Sequence, residues 1–153
     1  MENIKENRDV ILTKIKDTHK NSFFNKSKLP KLIAVSKKQE EYKIDDAIKI
    51  GHRFFGENRV QEAIQRWENR IKHYNDIELR LIGPLQTNKV KQALQIFNVI
   101  ETIDREKLAK SISNNIDGNI KTKSFYIQVN TGDEVQKAGV PALEANNFIE
   151  FCK

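Results

Sequence analysis

Short apolar runs alternate with amphipathic stripes along most of this chain, and that rhythm limits the folds open to it. Leu32-Ile33-Ala34-Val35 is a continuous apolar run, the pattern of a strand buried on both faces of a parallel sheet. Ile44, Ala47 and Ile48 make a helical stripe that ends at Gly51. Arg53-Phe54-Phe55 reads as a second strand, stopped by Gly56. Val60, Ala63, Ile64, Trp67 and Ile71 then follow helical spacing, and Asn58 with Gln61 three residues on forms a capping box at that helix's start. A third predicted strand runs from Leu79 to Ile82, closed by Gly83-Pro84, with Val90, Ala93, Leu94 and Phe97 marking the next helix. Val99-Ile100 is a short fourth strand. The helix after it carries Leu108, Ile112 and Ile116, with Asp104 as its N-cap and Gly118 at its end. Phe125 to Val129 is a fifth predicted strand, and a last helix begins near Pro141. An amphipathic helix with Ile4, Ile11 and Ile15 near one face precedes all of these.

Strands alternating with helices imply parallel β-α-β units, so the chain is of the α/β class. Two architectures fit: a doubly wound open sheet, or a piece of a (β/α)8 barrel. With 153 residues and no linker or low-complexity segment, residues 1–153 read as a single domain. The lone Cys152 excludes an internal disulfide framework. No apolar run approaches the ~18–20 residues of a membrane span, and the N-terminal stretch lacks the apolar core of a signal peptide. These features favour a reducing, cytoplasmic setting. Lys plus Arg total 27 against 21 Asp plus Glu, a formal +6 that permits an anionic small ligand or a nucleic acid. Acids are interspersed among the lysines, and the ordinary reading is a solvated surface.

In either architecture, ligands gather at the carboxyl ends of the strands. Those ends carry Ser36, Lys37 and Lys38; Gly56, Glu57 and Asn58; Gly83, Pro84, Gln86, Thr87, Asn88 and Lys89; Thr102 and Asp104; and Asn130, Thr131 and Gly132. Small, amide, hydroxyl and charged groups converge there, as a polar ligand site requires. No dinucleotide fingerprint, phosphate loop or nucleophile elbow is present. His19, His52 and His73 are scattered, which argues against a metal site. Lys37 directly follows a buried run. Partial desolvation there lowers a lysine's pKa and frees its amine to attack aldehydes. The plainer alternative is a solvated lysine at a strand end. By the same test His52 and Trp67 read as packing residues, and Asn58 and Asp104 as helix caps.

Three segments carry a resemblance: Leu32-Ile33-Ala34-Val35-Ser36-Lys37, Phe55-Gly56-Glu57-Asn58-Arg59-Val60-Gln61-Glu62 and Ile82-Gly83-Pro84-Leu85-Gln86-Thr87-Asn88-Lys89. With Ile127-Gln128-Val129-Asn130 and Gln136-Lys137-Ala138-Gly139, they resemble the YggS family of pyridoxal phosphate homeostasis proteins, called PROSC in animals. The matches keep family order and spacing from Leu32 onward. The resemblance implies a (β/α)8 barrel of the TIM type, like the N-terminal barrel of alanine racemase. It implies pyridoxal 5′-phosphate held on Lys37 as an internal aldimine, a Schiff base. Asn58, Gln86, Asn88 and Asn130 would line the cofactor's pocket, with no residue assigned a catalytic role and no metal. Members are regarded as carriers or regulators of the cofactor and related B6 vitamers, with no established reaction.

Two departures from the family matter. Leu79-Arg80-Leu81 stands where the family usually has Trp-His-Phe, which places a cation near the barrel. The sequence ends in the fifth β-α unit, whereas an eight-stranded barrel takes about 250 residues. The Ser- and Gly-rich stretches that hold the phosphate in the family have no counterpart here. The resemblance therefore implies weakened cofactor binding and no racemase activity. It also leaves two open sheet edges, through which copies could self-associate. A basic nucleic-acid-binding module is the alternative, and it rests on charge alone.

Overall fold

A computed structural model describes residues 3–132 and 134–153. Helix α1 (Ile4–Lys20) leads through a loop to β1 (Ala34–Val35), α2 (Glu41–Lys49), β2 (Phe54–Glu57) and α3 (Val60–His73). Then come β3 (Glu78–Leu81), α4 (Val90–Ile96), β4 (Val99–Ile103), α5 (Glu106–Ser113) and β5 (Ser124–Ile127). A small ladder of β6 (Val129–Asn130) and β7 (Val140–Pro141) precedes the final helix α6 (Ala145–Cys152). Five strands form one parallel sheet in the order β1-β2-β3-β4-β5. That order follows the chain without the reversal that defines a doubly wound sheet.

Strand pairing decides which residues share a face. Phe55 pairs with Leu79, and Leu81 with Ile100. These four side chains are all but fully buried, beneath Ala47, Ile48, Ala63, Trp67, Ala93, Leu94 and Leu108 of the helices. The Trp67 ring lies 4.6 Å from that of Phe55 and anchors α3 to the sheet. The opposite face is charged. Lys31 Nζ lies 3.1 Å from Glu78 Oε2, Arg80 Nε donates to Glu78 Oε1 at 2.7 Å, and Arg80 Nη1 donates to Glu101 Oε1 at 2.6 Å. Burial pushes the Glu78 carboxyl up, but hydrogen bonds from Arg80 and Lys31 outweigh it and hold it below the ordinary carboxylate range.

This two-faced sheet corrects the expectation of a first strand buried on both sides. Only Ala34 and Val35 form β1, and Val35 is 46% exposed. Among the described residues no second layer of secondary structure covers its other face. Gly56 lies inside β2 instead of ending it, and a Cβ there would stand only 3.0 Å from Ile82 Cδ1. The expected caps also fail. Helices α3 and α5 start after Arg59 and Arg105, whose backbones are extended and whose side chains make no cap. Asn58 and Asp104 sit one residue too early, and Asp104 pairs with Arg105 instead. Helix α5 ends at Ser113, so Ile116 falls outside it and is exposed, and Gly118 does not end it. The fifth strand stops at Ile127 after a register irregularity against β4, and Val129-Asn130 pairs with β7.

Helix α1 lies on this body by a narrow stripe. Ile4, Arg8, Leu12, Ile15 and His19 are half-buried, while Ile11 is exposed, contrary to the stripe read from sequence. Arg8 Nε donates to His52 Nδ1 at 3.4 Å, and His52 Nε2 donates to the Phe54 carbonyl at 2.8 Å. His52 is buried and edge-on to Phe55 at 5.1 Å, the packing role expected of it. Burial is the main force pushing its pKa down; the Phe54 carbonyl opposes that, and the charges of Arg8 and Arg53 add to it. The unfolded chain therefore binds this proton more readily than the fold does. The associated stability is complete above the unfolded histidine value of about 6.5 and is lost as pH falls below it. Urea unfolding at pH about 7.5 and about 5.5 should give lower stability at the acid value, and His52→Gln should flatten the difference. A profile unchanged by that substitution contradicts the assignment.

Candidate cofactor site

Lys37 stands on a turn that begins where β1 ends. The Ser36 amide donates to the Gly56 carbonyl at 3.0 Å, and the Gln39 amide donates back to the Ser36 carbonyl at 3.1 Å. Lys38, at the third position, has φ 59, a conformation uncommon for a side-chain-bearing residue. Side chains of β2 and α3 hold this turn. Glu57, with no exposed surface, accepts at Oε1 from Ser36 Oγ at 2.7 Å, Arg66 Nη1 at 3.0 Å and Trp67 Nε1 at 3.2 Å. The same Arg66 donates to the carbonyls of Ser36 at 2.8 Å and Gln39 at 3.2 Å, the two ends of the turn. Its Nε reaches Glu41 at 2.9 Å, and Glu41 and Asp45 bind Arg70 at 2.7 and 2.8 Å. Burial raises the Glu41 carboxyl, and bonds from Arg66 and Arg70 bring it below the ordinary value. The turn is thereby clamped to β2, α2 and α3 together.

The neighbouring strand end is equally constrained. A Cβ on Gly83 would lie 2.4 Å from the Asn58 carbonyl oxygen and 2.7 Å from its Cα, so only glycine lets the ends of β2 and β3 meet. Thr102 Oγ1 donates to the Gly83 carbonyl at 2.8 Å and fixes that contact from β4. Asn58 Oδ1 is buried and has no hydrogen-bond partner among the described residues. A buried acceptor left unmatched costs about 1–3 kcal/mol, so it marks a place where a ligand donor would be rewarded.

The five residues singled out from sequence all lie at the carboxyl side of the sheet, on different terms. Lys37 and Asn58 follow the paired strands β1 and β2. Gln86 and Asn88 are exposed in the turn around Thr87–Lys89 that follows β3. Asn130 lies beyond β5, and its amide serves its own loop: Nδ2 donates to the Glu134 carbonyl at 2.9 Å, and Oδ1 accepts from the Glu134 amide at 3.4 Å. Gly139 (φ 123) packs against it, where a Cβ would be 2.7 Å from the Asn130 amide nitrogen. Lys37 is exposed, so this chain does not supply the desolvation expected of it. The sequence reading missed the clamp. Its signal was there: Glu41 and Asp45 are four apart, as are Arg66 and Arg70, on adjacent helices.

No family model matches the chain. It is 34% identical over 153 residues to the pyridoxal phosphate homeostasis protein of Vibrio cholerae, covering 99% of this chain and 64% of that protein. It is 33% identical over 142 residues to the protein of that name from Haemophilus influenzae, covering 93% of this chain and 60% of the relative. Over nearly its whole length the chain is thus similar to proteins named pyridoxal phosphate homeostasis protein. It spans between half and about two thirds of the length of the curated relatives it matches. PipY of Synechococcus elongatus, solved with pyridoxal phosphate bound, superposes with a TM-score of 0.68 at 30% identity, over 89% of this chain and 62% of PipY.

The clamp makes a quantitative prediction. Arg66→Met leaves the Glu57 carboxylate buried with neutral donors only. Urea unfolding should register a loss of about 3–5 kcal/mol, part of it recovered when Glu57→Leu is added. A loss under about 1 kcal/mol would place Arg66 among ordinary surface ion pairs.

Proposed function

We propose that this chain binds pyridoxal 5′-phosphate, with Lys37 as its covalent anchor, and serves in homeostasis of that cofactor and related B6 vitamers. The observation that carries the reading is Lys37 on a clamped turn, beside a strand end whose Asn58 Oδ1 is buried and unmatched. The cofactor supplies an aldehyde that amines can attack, on a ring that withdraws electrons. The residues present fit that group. Lys37 offers an exposed amine that makes no hydrogen bond or ion pair among the described residues, so it is free to react. Arg66 holds both ends of its turn and so limits the directions from which the amine can approach. Asn58 would accept a hydrogen bond from the cofactor, and Gln86 and Asn88 offer amides from the next strand end. Asn130 could join only by giving up its bonds to Glu134.

We read residues 1–153 as one unit, the first five β-α units of a (β/α)8 barrel. Sequential strand order and a sheet with one helix-covered face support this. In a barrel the charged face carrying Lys31, Glu78, Arg80 and Glu101 would be the interior. Arg80, where the family usually has histidine, is engaged by two carboxylates and so has little charge to offer a phosphate. A cytoplasmic setting suits this role.

Borohydride reduction with added pyridoxal phosphate, followed by peptide mass mapping, tests the anchor. Label on the Lys37 peptide, lost in Lys37→Ala, is expected. Equal label on Lys38, Lys89 and other lysines would mean surface chemistry only.

A further inference from the structure

The formal charge of the chain is concentrated at one end. Residues 1–38 hold ten Lys and Arg against four Asp and Glu, a net +6 that equals the charge of the whole, so residues 39–153 are neutral. From Lys14 to Lys38, eight lysines face a single acid, Asp17. The interspersed acids read from sequence therefore describe the chain outside the stretch from Lys14 to Lys38. Lys14, Lys16, Lys20, Lys26 and Lys28 make no ion pair among the described residues.

The same segment carries exposed apolar groups. Helix α1 leaves Val10 and Ile11 in solvent, and the following loop shows Phe24 at 74% and Phe23 at 104% exposure. The loop is held in shape. Ser22 Oγ donates to the His19 carbonyl at 2.8 Å, Ser27 Oγ donates to the Phe24 carbonyl at 2.7 Å, and the Asn25 amide donates to the Ser22 carbonyl at 3.2 Å. The Phe23 side chain thus projects from a fixed turn, beside an apolar groove of about 530 Å³ bordered by Lys14, Ile15, Phe24 and Pro30. Pro30 leads into β1, so this patch lies at the amino ends of the strands, away from Lys37.

We propose that residues 10–31 dock this protein on the surface of a bilayer that contains anionic phospholipid. Unpaired lysines are drawn to the negative headgroups, and Phe23 and Phe24 enter the boundary between headgroups and acyl chains. Neither signal alone anchors firmly, and here both occur in one segment. Among the described residues no helix is long and apolar enough to cross a membrane, so the attachment is peripheral. Single-stranded nucleic acid would also answer to lysines with aromatics, but a stacking platform offers one ring face while the other rests on protein. Phe23 at 104% exposure has no such support. Because the patch faces away from the strand ends, attachment leaves the cofactor site open.

Cosedimentation with vesicles tests this, using phosphatidylcholine alone and phosphatidylcholine with about one third phosphatidylglycerol. Binding only to the anionic vesicles is expected, weakened about tenfold or more in roughly 0.5 M salt. The double variant Phe23→Ser, Phe24→Ser should bind about tenfold more weakly with its thermal melt unchanged, and Lys20→Glu, Lys26→Glu, Lys28→Glu should not bind. Absence of binding, binding unchanged in the phenylalanine variant, or tighter binding to a single-stranded homopolymer than to anionic vesicles would overturn the proposal.

Discussion

A carboxylate with no accessible surface closes the carboxyl ends of β1 and β2, and the candidate site depends on it. Glu57 gathers a hydroxyl from the Lys37 turn, a guanidinium and an indole from α3 onto one oxygen. Burying such a pair contributes little net stability, because desolvation costs several kcal/mol per ion. What it contributes is position. An apolar core would fix helix α3 loosely along its axis, whereas Arg66 must meet Glu57 and two carbonyls of one turn at once. The exposed helix pairs Glu68–Lys72 and Glu106–Lys110 differ in kind: each is worth about 0.3–0.5 kcal/mol and positions nothing.

The sheet divides its labour by face. Phe55, Leu79, Leu81 and Ile100 supply the apolar burial that holds five β-α units together. The other face spends its positions on Lys31, Glu78, Arg80 and Glu101, whose charges neutralise one another. A sheet that leaves this face uncovered in the chain does not present a broad apolar surface there. The ends of the strands then combine the two regimes: apolar packing fixes the backbone, while Asn58 Oδ1 is buried there without a hydrogen-bond partner among the described residues.

Much of this fold could be read from residue order, because a run of apolar residues and a 3.6-residue stripe each report burial directly. All five parallel strands and their helices occur where the runs and stripes lie. Helix starts were less legible. Asn58 and Asp104 have the composition of caps, but tertiary contacts claim both regions, and an Arg occupies each cap position. Burial of Leu32 to Val35 was overestimated, since an apolar run reports what a strand could bury and not whether a second layer is there. Lys37 was found by position and family motif. Its clamp was not, because Glu57 looks like any polar residue after a strand until Arg66, nine residues later, is folded back onto it.

We propose that the Glu57–Arg66 clamp directs pyridoxal phosphate to Lys37 in preference to its neighbour Lys38. Quantitative peptide mapping of borohydride-fixed label in Arg66→Met, under conditions where the variant remains folded by circular dichroism, measures that directly. The account predicts that label divides between Lys37 and Lys38 once the turn loses its two carbonyl tethers. Label that stays on Lys37 at the level of the unsubstituted protein would contradict it.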